Sequence, residues 1–234
     1  MDDSGTLQGA SRHHIVRAVE ASLKRLQTDW IDLLQQHRPD PLTPIEETLR
    51  ALDDLIRAGK IRYIGASNLP SWEVVDAAWT AKTCNLSGFV SCQDEYSLLQ
   101  RDADRELIPA MQHLGLGLLP YFPLASGLLT GKHNRNQPKA EDARLWKNER
   151  LANRFLTDAN LDRAERLETW AVDRGHTLLD LAFAWLLARP TVSSVIAGAT
   201  SPAQIAQNAA TGDWALDPAD LAEIDALLSQ ATVN

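Results

Sequence analysis

The sequence predicts an α/β fold in which strands and helices alternate, the pattern of a parallel βα barrel. Five short apolar runs each end in a small polar cluster, at residues 30–37, 61–68, 89–96, 116–123 and 195–200. The polar residues that end the first four runs are 31, 25 and 28 residues apart. Each step accommodates a strand, a turn, a helix and a return loop. Because parallel barrels carry their chemistry at the carboxyl ends of their strands, the polar clusters are predicted to form one functional rim.

Helical periodicity fills the intervals between these runs. Apolar residues spaced by three and four predict the first helix over residues 13–26. The second is predicted over residues 43–58, because Thr43, Pro44 and Glu46 form a capping box with an early proline, and Gly59 ends it. Further helices are predicted from residue 71 through 79 and over residues 104–113, 161–174, 178–188, 202–210 and 218–228.

Residues 1–234 are expected to form a single domain, a partial barrel with a long loop at about residues 133–160. That segment is polar and charged and lacks periodicity, and loops of such length are usually functional lids or disordered. A complete barrel needs eight strands and about 250 residues. The sequence offers five candidates, and neither residues 1–12 nor the loop has room for three more. The fold is therefore expected to be either an open five-stranded sheet or a barrel that lacks three of its units.

Composition narrows the classes of partner. The chain has 234 residues and a net charge of −8, which argues against nucleic-acid binding and against an anionic membrane partner. No apolar run approaches the ~20 residues that span a bilayer, and the acidic first residues do not form a signal peptide. Cys84 and Cys92 lack metal-ligand spacing, so we expect reduced thiols, no bound metal and a cytoplasmic protein. The oligomeric state is not predicted.

Several ordered motifs carry a resemblance to a known family. They are residues 32–37 (DLLQQH), 59–68 (GKIRYIGASN), 93–99 (QDEYSLL), 121–124 followed by 127–132, and 198–201 followed by Gln204 and Asn208. In this order the chain resembles the aldo-keto reductases over about residues 11–228. The resemblance implies a TIM (β/α)8-barrel, N-terminally truncated here to about five of eight units. It also implies reduction of aldehydes or ketones with NAD(P)H, and the segment His37-Arg38-Pro39-Asp40 suggests the aryl-alcohol-dehydrogenase-like branch.

His37 is the candidate catalytic residue. Its place at a strand end is compatible with a structural histidine or with a functional one. The resemblance implies that it hydrogen-bonds the carbonyl oxygen of a small-molecule substrate, where an imidazole stabilises developing negative charge.

The candidate cofactor residues follow the next strands. Ser67 and Asn68 form a turn that by itself could be only a helix cap, and Gln93 could simply satisfy a strand end. The resemblance implies that these three bind the nicotinamide carboxamide, a ligand that needs donors and acceptors. Tyr121 is either a core tyrosine or, as the resemblance implies, the aromatic ring that stacks on the nicotinamide.

The phosphates and the adenosine are assigned to later segments by the same resemblance. Residues 127–132 resemble the loop that crosses the pyrophosphate, and the turn at residues 198–201 leads into a helix N-terminus, which suits a phosphate. NADP is favoured by the family, but no basic residue stands in this turn and Gln204 replaces a frequent arginine, so NAD remains an alternative. The implied set, apart from the residues already assigned, is Phe122, Leu124, Gly127, Leu128, Thr130, Lys132, Gly198, Thr200, Gln204 and Asn208.

The family's proton donor is a tyrosine assisted by a lysine and an aspartate, and no residue of this chain is matched to them. We therefore expect that the reading frame starts upstream of Met1 and that the chain as written has little activity. Three interpretations follow: a carbonyl reductase, a non-catalytic cofactor-binding or regulatory member, and an inactive fragment.

Overall fold

The computed structural model describes residues 9–132 and 144–229. The chain divides into two compact units. Within the described residues, unit 1 contains 9–94 and 104–119, and unit 2 contains 95–103, 120–132 and 144–229. The expectation of a single domain stays a prediction.

Unit 1 is built on a parallel sheet of four strands in the order β1-β2-β3-β4. This confirms the α/β class with a parallel sheet and the first four predicted strands, all shorter than their apolar runs. The strands are β1 Ile31–Gln36, β2 Ile61–Ser67, β3 Ser91–Gln93 and β4 Gly117–Leu118. The helices of this unit are α1 Arg12–Leu26, α2 Ile45–Arg57, α3 Ser71–Thr83 and α4 Leu107–Leu114.

The start of α2 differs from the predicted capping box. Pro44 is the N-cap residue and makes no side-chain capping bond. The Thr43 hydroxyl instead donates to Asp40 Oδ2 at 2.7 Å, and the same carboxylate accepts the Ala10 N–H at 2.7 Å. The hydrogen bond from Ala10 is the main cause that lowers the pKa of Asp40. Because the Asp40 carboxylate is charged, it is a stronger acceptor for the Thr43 hydroxyl, and Thr43 therefore does not cap the helix.

Unit 2 is mainly helical. The helix α8, Leu178–Leu187, is buried along most of its length and begins with a capping box between Thr177 and Asp180. Short 3-10 helices lie at Ala125–Thr130 and Thr211–Asp213, and a third, Asp102–Asp104, spans the boundary in the sequence between unit 2 and unit 1. The α-helices are α5 Arg144–Lys147, α6 Glu149–Phe155, α7 Asp158–Val172, α8 Leu178–Leu187, α9 Pro202–Ala210 and α10 Pro218–Ser229.

The long loop predicted at residues 133–160 is wrong for its second half, whereas residues 133–143 lie outside the described residues. Residues 144–160 form α5, α6 and the start of α7. Asn148 accepts the Leu151 N–H at 3.1 Å, and Thr157 accepts the Asn160 N–H at 3.2 Å. These capping bonds and the burial of Phe155 stabilise the helices. Because most of their residues are polar, the helices show no clear apolar periodicity in the sequence.

The fifth predicted strand, at residues 195–200, is also wrong, because these residues form no strand in the described structure. A strand requires a ladder of backbone hydrogen bonds with a neighbour. Here the Ile196 N–H donates to the Pro120 carbonyl at 3.1 Å, but no ladder extends from it. Among the described helices, none has the length and apolar character to cross a bilayer.

Candidate active site

Three predicted site residues form a row at the carboxyl edge of the unit 1 sheet. The register pairs Gln36 with Ala66 and Ser67 with Gln93. His37, which follows β1 directly, is therefore level with Ser67 and Gln93, the last residues of β2 and β3. Ser67 is buried, Gln93 is half-buried and His37 is exposed.

Hydrogen bonds link the ends of β1, β2 and β3. The side-chain amide of Asn68 donates to the His37 carbonyl at 3.0 Å and to Ser67 Oγ at 2.9 Å. The Ser67 hydroxyl in turn donates to the Gln93 carbonyl at 2.6 Å. Asn68 has a φ of 59°, in the left-handed region that asparagine tolerates better than most residues. The edge of the sheet is therefore a connected polar array rather than a set of separate loops.

Asp94 belongs to this array, although the sequence interpretation did not select it. Its Oδ1 accepts the backbone N–H of Asn68 at 3.1 Å. Burial raises the pKa of Asp94 to about 6, and the hydrogen bond from Asn68 opposes that rise. The signal in the sequence was an acidic residue directly after a buried strand, next to Gln93.

A second polar row lies on the same face, one layer below the first. The register aligns Gln35 with Gly65, Gly65 with Ser91 and Ser91 with Gly117. Residues two apart in a strand share a face, so this row lies beneath His37, Ser67 and Gln93. Gln35 Nε2 donates to Ser91 Oγ at 3.3 Å, whereas Gln35 Oε1 is buried and makes no hydrogen bond within the described residues.

Gly65 leaves the space that this lower row needs. A Cβ at this position would overlap Gln35 Oε1 and would lie 2.5 Å from Ser91 Oγ. Glycine is therefore needed here for the close packing of polar side chains. It is not needed for backbone freedom, since its φ lies outside the left-handed region.

In unit 2, Tyr121 is held by backbone and ring contacts. It forms a parallel bridge with Glu95, and its carbonyl accepts the Tyr96 N–H at 3.4 Å. The Tyr121 ring lies edge-on to Phe122 with centroids 5.5 Å apart, and Phe122 lies edge-on to Phe155 at 6.0 Å. The aromatic side chain that the sequence assigned to the nicotinamide is thus fixed by an aromatic cluster of its own unit.

The segment predicted to cross the pyrophosphate has an unusual backbone. Ala125, Ser126 and Gly127 have consecutive φ values of 46°, 59° and 112°. Ser126 Oγ is buried and makes no hydrogen bond within the described residues. A buried hydroxyl without a protein partner is expected where a polar ligand supplies the missing hydrogen bond. Of the predicted residues here, Leu128 is buried, Leu124, Gly127 and Thr130 are half-buried, and Lys132 is exposed.

Thr130 and the turn before α9 are bonded locally. The Thr130 hydroxyl donates to the Gly127 carbonyl at 2.7 Å. At the turn, Gln204 Oε1 accepts from the Thr200 N–H at 2.7 Å and from its hydroxyl at 3.1 Å. Gly198 is exposed, and Asn208 is half-buried within α9. The N–H and the hydroxyl of Thr200, in the turn that was predicted to suit a phosphate, are therefore hydrogen-bonded to Gln204 in this structure.

The structure thus brings the predicted residues together in separate groups. Unit 1 joins His37, Ser67, Asn68 and Gln93. Unit 2 contains the aromatic pair Tyr121 and Phe122, the segment of residues 124–132, and the turn and helix of residues 198–208. The ligand roles of all these residues stay predictions.

Comparison with known proteins gives consistent results. The family model described as "Aldo/keto reductase family" matches residues 1–229. An Arabidopsis thaliana protein named as a probable voltage-gated potassium channel subunit beta is 41% identical over 203 residues, which is 86% of this chain and 62% of that protein. An uncharacterized oxidoreductase of Bacillus subtilis is 36% identical over 219 residues, 92% of this chain and 64% of its own length.

A Saccharomyces cerevisiae protein provisionally named as an aryl-alcohol dehydrogenase is 38% identical over 185 residues, 79% of this chain and 53% of the yeast protein. The chain accordingly spans less than two thirds of the length of these relatives. The match of the family model extends over nearly every residue and includes all the motifs described above. The chain therefore belongs to the aldo/keto reductase family.

Proposed function

We propose that this protein is an oxidoreductase that uses NAD(P)H to reduce the carbonyl group of a small aldehyde or ketone, in the aryl-alcohol-dehydrogenase-like branch of its family. The observation that carries the proposal is the hydrogen-bonded row of His37, Ser67, Asn68 and Gln93 at the carboxyl edge of a parallel sheet. In this proposal the four strands are an arc of a TIM barrel, in which the carboxyl edge is the catalytic edge.

The row has the chemistry that a carboxamide ligand requires. Such a ligand carries two N–H donors and one carbonyl acceptor, so its site needs both kinds of group. Asn68 and Gln93 have amide side chains, and Ser67 has a hydroxyl. We assign these three side chains to the nicotinamide carboxamide.

His37 is assigned to the substrate. Its imidazole is exposed at the end of β1, so a small molecule can reach it. A ring N–H at this position would donate a hydrogen bond to the substrate carbonyl oxygen and stabilise the negative charge that develops there. When bound, the reduced nicotinamide would supply the hydride to the carbonyl carbon, and solvent would supply the proton that completes the alcohol.

The residues of unit 2 are assigned to the remaining parts of the cofactor. We assign Tyr121 to the nicotinamide ring and the segment of residues 124–132 to the pyrophosphate, because the unbonded Ser126 hydroxyl fits an anionic oxygen. The turn of residues 198–208 is assigned to the adenosine end. It offers hydroxyl and amide groups but no basic side chain, so the proposal includes both NADP and NAD.

A second candidate function is cofactor binding without catalysis. The observation that favours it is the 41% identity to a plant protein named as a potassium channel subunit. No residue of this chain is matched to the proton donor of the family, and loss of a general acid costs a factor of about 10²–10⁴ in rate. In this proposal the bound nicotinamide nucleotide has a regulatory role, and we expect little turnover from residues 1–234 alone.

The decisive experiment measures nucleotide binding and turnover separately. Binding of NADPH and NADH is followed by fluorescence titration, and turnover by oxidation of the cofactor with 4-nitrobenzaldehyde. We expect Asn68→Ala to weaken binding about 10-fold, since one lost hydrogen bond contributes about 1 kcal/mol or more. Asn85→Ala is the matched control, because Asn85 also has a left-handed φ, of 54°, but follows α3.

The outcomes separate the candidates. Binding with turnover supports the reductase, and binding without turnover supports the regulatory member. Failure of the unaltered protein to bind either nucleotide would overturn both.

A further inference from the structure

We propose that Asp94 is a positioning residue, whose carboxylate holds the backbone of Asn68 in the conformation that joins the three strand ends. The identity of the ligand rests on the proposed function, but the positioning role concerns the arrangement of Asn68 itself. Asp94 is not assigned to contact the substrate or the cofactor.

The geometry places Asp94 directly against the backbone of Asn68. Asn68 follows β2 and Asp94 follows β3, and the residues before them, Ser67 and Gln93, are paired in the register. Two bonds cross between these chain segments at this corner. The Asn68 N–H donates to Asp94 Oδ1 at 3.1 Å, and the Ser67 hydroxyl donates to the Gln93 carbonyl at 2.6 Å.

The conformation of Asn68 needs such support. A φ of 59° is unfavourable for a residue with a Cβ, and such residues persist when their surroundings fix them. The left-handed turn directs the side-chain amide of Asn68 to the His37 carbonyl and to Ser67 Oγ. If Asn68 returned to an extended conformation, its amide would leave the row and the carboxamide site would lose one of its three members.

Burial governs the charge state of the Asp94 carboxylate, because it raises the pKa of this group to about 6. On β3 the Cys92 thiol is kept neutral, because burial raises its pKa to about 12. Glu95, the next residue in the chain after Asp94, is ion-paired with Arg154 at 2.7 Å. The ionisable side chain at the end of β1 is His37. Protonation of Asp94 would replace a charged acceptor by a weaker neutral one for the Asn68 N–H.

Two substitutions test separately the acceptor oxygen of Asp94 and the volume of its side chain. Asp94→Asn retains an acceptor oxygen at nearly constant shape, whereas Asp94→Leu retains similar volume and removes the acceptor. Asp29→Leu is the matched control, because Asp29 is exposed between α1 and β1. Far-UV circular dichroism verifies that each variant is folded.

The readout compares two ligands that differ in the nicotinamide. NADPH carries the carboxamide, whereas ADP-ribose, used here with the same 2′-phosphate as NADPH, lacks the nicotinamide. We expect Asp94→Leu to weaken NADPH binding about 10-fold, the size of one charge-assisted hydrogen bond, with ADP-ribose binding changed less than about 2-fold. Asp94→Asn should weaken NADPH binding by an intermediate factor of about 3, because its amide oxygen is a neutral and weaker acceptor, whereas Asp29→Leu should stay within about 2-fold of the unaltered protein for both ligands.

A pH series adds a readout that loss of structure alone would not produce. The affinity of the unaltered protein for NAD⁺, relative to that of Asp94→Asn, should fall as the pH drops below about 6. Unchanged NADPH binding by Asp94→Leu would overturn the positioning role and leave the proposed function intact. Equal losses for NADPH and ADP-ribose would also overturn it, as a general effect on folding. If the unaltered protein bound neither nucleotide, the proposed function itself would fail and this inference with it.

Discussion

The substitution Gly65→Ala probes the packing of the polar row beneath the strand ends. A Cβ at this position would overlap Gln35 Oε1 and would lie 2.5 Å from Ser91 Oγ and 2.8 Å from Gln35 Cδ. Real Cβ atoms essentially never approach other atoms within 3.0 Å, so at least one of the two side chains must move. Since the Ser91 side chain is buried, the displacement falls mainly on Gln35.

The expected magnitude follows from these contacts. Moving the Gln35 amide breaks its 3.3 Å hydrogen bond to Ser91, which contributes about 1 kcal/mol. Overpacking of a close-packed site typically costs a further ~1–3 kcal/mol. The lower entropy of the unfolded chain with alanine offsets roughly 0.5–1 kcal/mol. We therefore expect Gly65→Ala to lower the free energy of unfolding by about 1–3 kcal/mol.

Urea unfolding followed by circular dichroism measures this loss, with Gly88→Ala as the control. A Cβ at Gly88 would lie 3.6 Å from the Ala81 Cβ, an ordinary contact, so that variant should be neutral or slightly stabilising. A double-mutant cycle with Gln35→Ala should recover about 1 kcal/mol or more. If Gly65→Ala and Gly88→Ala differed by less than about 0.5 kcal/mol, the row would not be packed as described.

Two further predictions concern carboxylates. Burial raises the pKa of Asp94 from 3.8 to about 6. The folded state therefore binds this proton more tightly than the unfolded state, and above pH 6 the ionised carboxylate destabilises the fold. Urea titrations should show that Asp94→Asn raises the free energy of unfolding by up to about 3 kcal/mol near neutral pH, with the gain vanishing toward about pH 4. Arg154→Ala should lower thermal stability by about 1–2 kcal/mol, because it leaves the Glu95 side chain, 12% exposed, without its cation. Adding Glu95→Gln should recover part of that loss, and an unchanged melting temperature in the single variant would count against the ion pair.

Elements with local signals were predictable from the sequence. The helix Pro202–Ala210 has the bounds predicted for it, because Ser201 caps it and Pro202 stands at its first turn. The ends of β1 and β2 were predicted to within a residue, since apolar runs stop there at polar residues. The row of His37, Ser67 and Gln93 follows from those ends and from parallel pairing alone.

Features that depend on distant partners were not predictable in this way. Residues 195–200 have the composition of a strand, but a strand forms only where a neighbour supplies a ladder. Thr43 does not cap α2 as predicted, because its hydroxyl donates instead to Asp40, three residues earlier. Asp94 was missed because its hydrogen bond to the Asn68 N–H depends on the register between β2 and β3.

Unit 1 changes character along the direction of its strands. At the start and middle of β2, Ile61 and Ile64 are fully buried apolar side chains, which stabilise the sheet. Toward the carboxyl edge the same sheet carries a strand glycine, a left-handed asparagine and a half-buried carboxylate, at Gly65, Asn68 and Asp94. The left-handed φ of Asn68 and the buried charge of Asp94 lower the stability of the fold, whereas Gly65 is required by the polar side chains around it rather than by the apolar core. Unfavourable features that collect at one edge, where hydrogen bonds connect the strand ends, support the proposal that this edge binds a ligand.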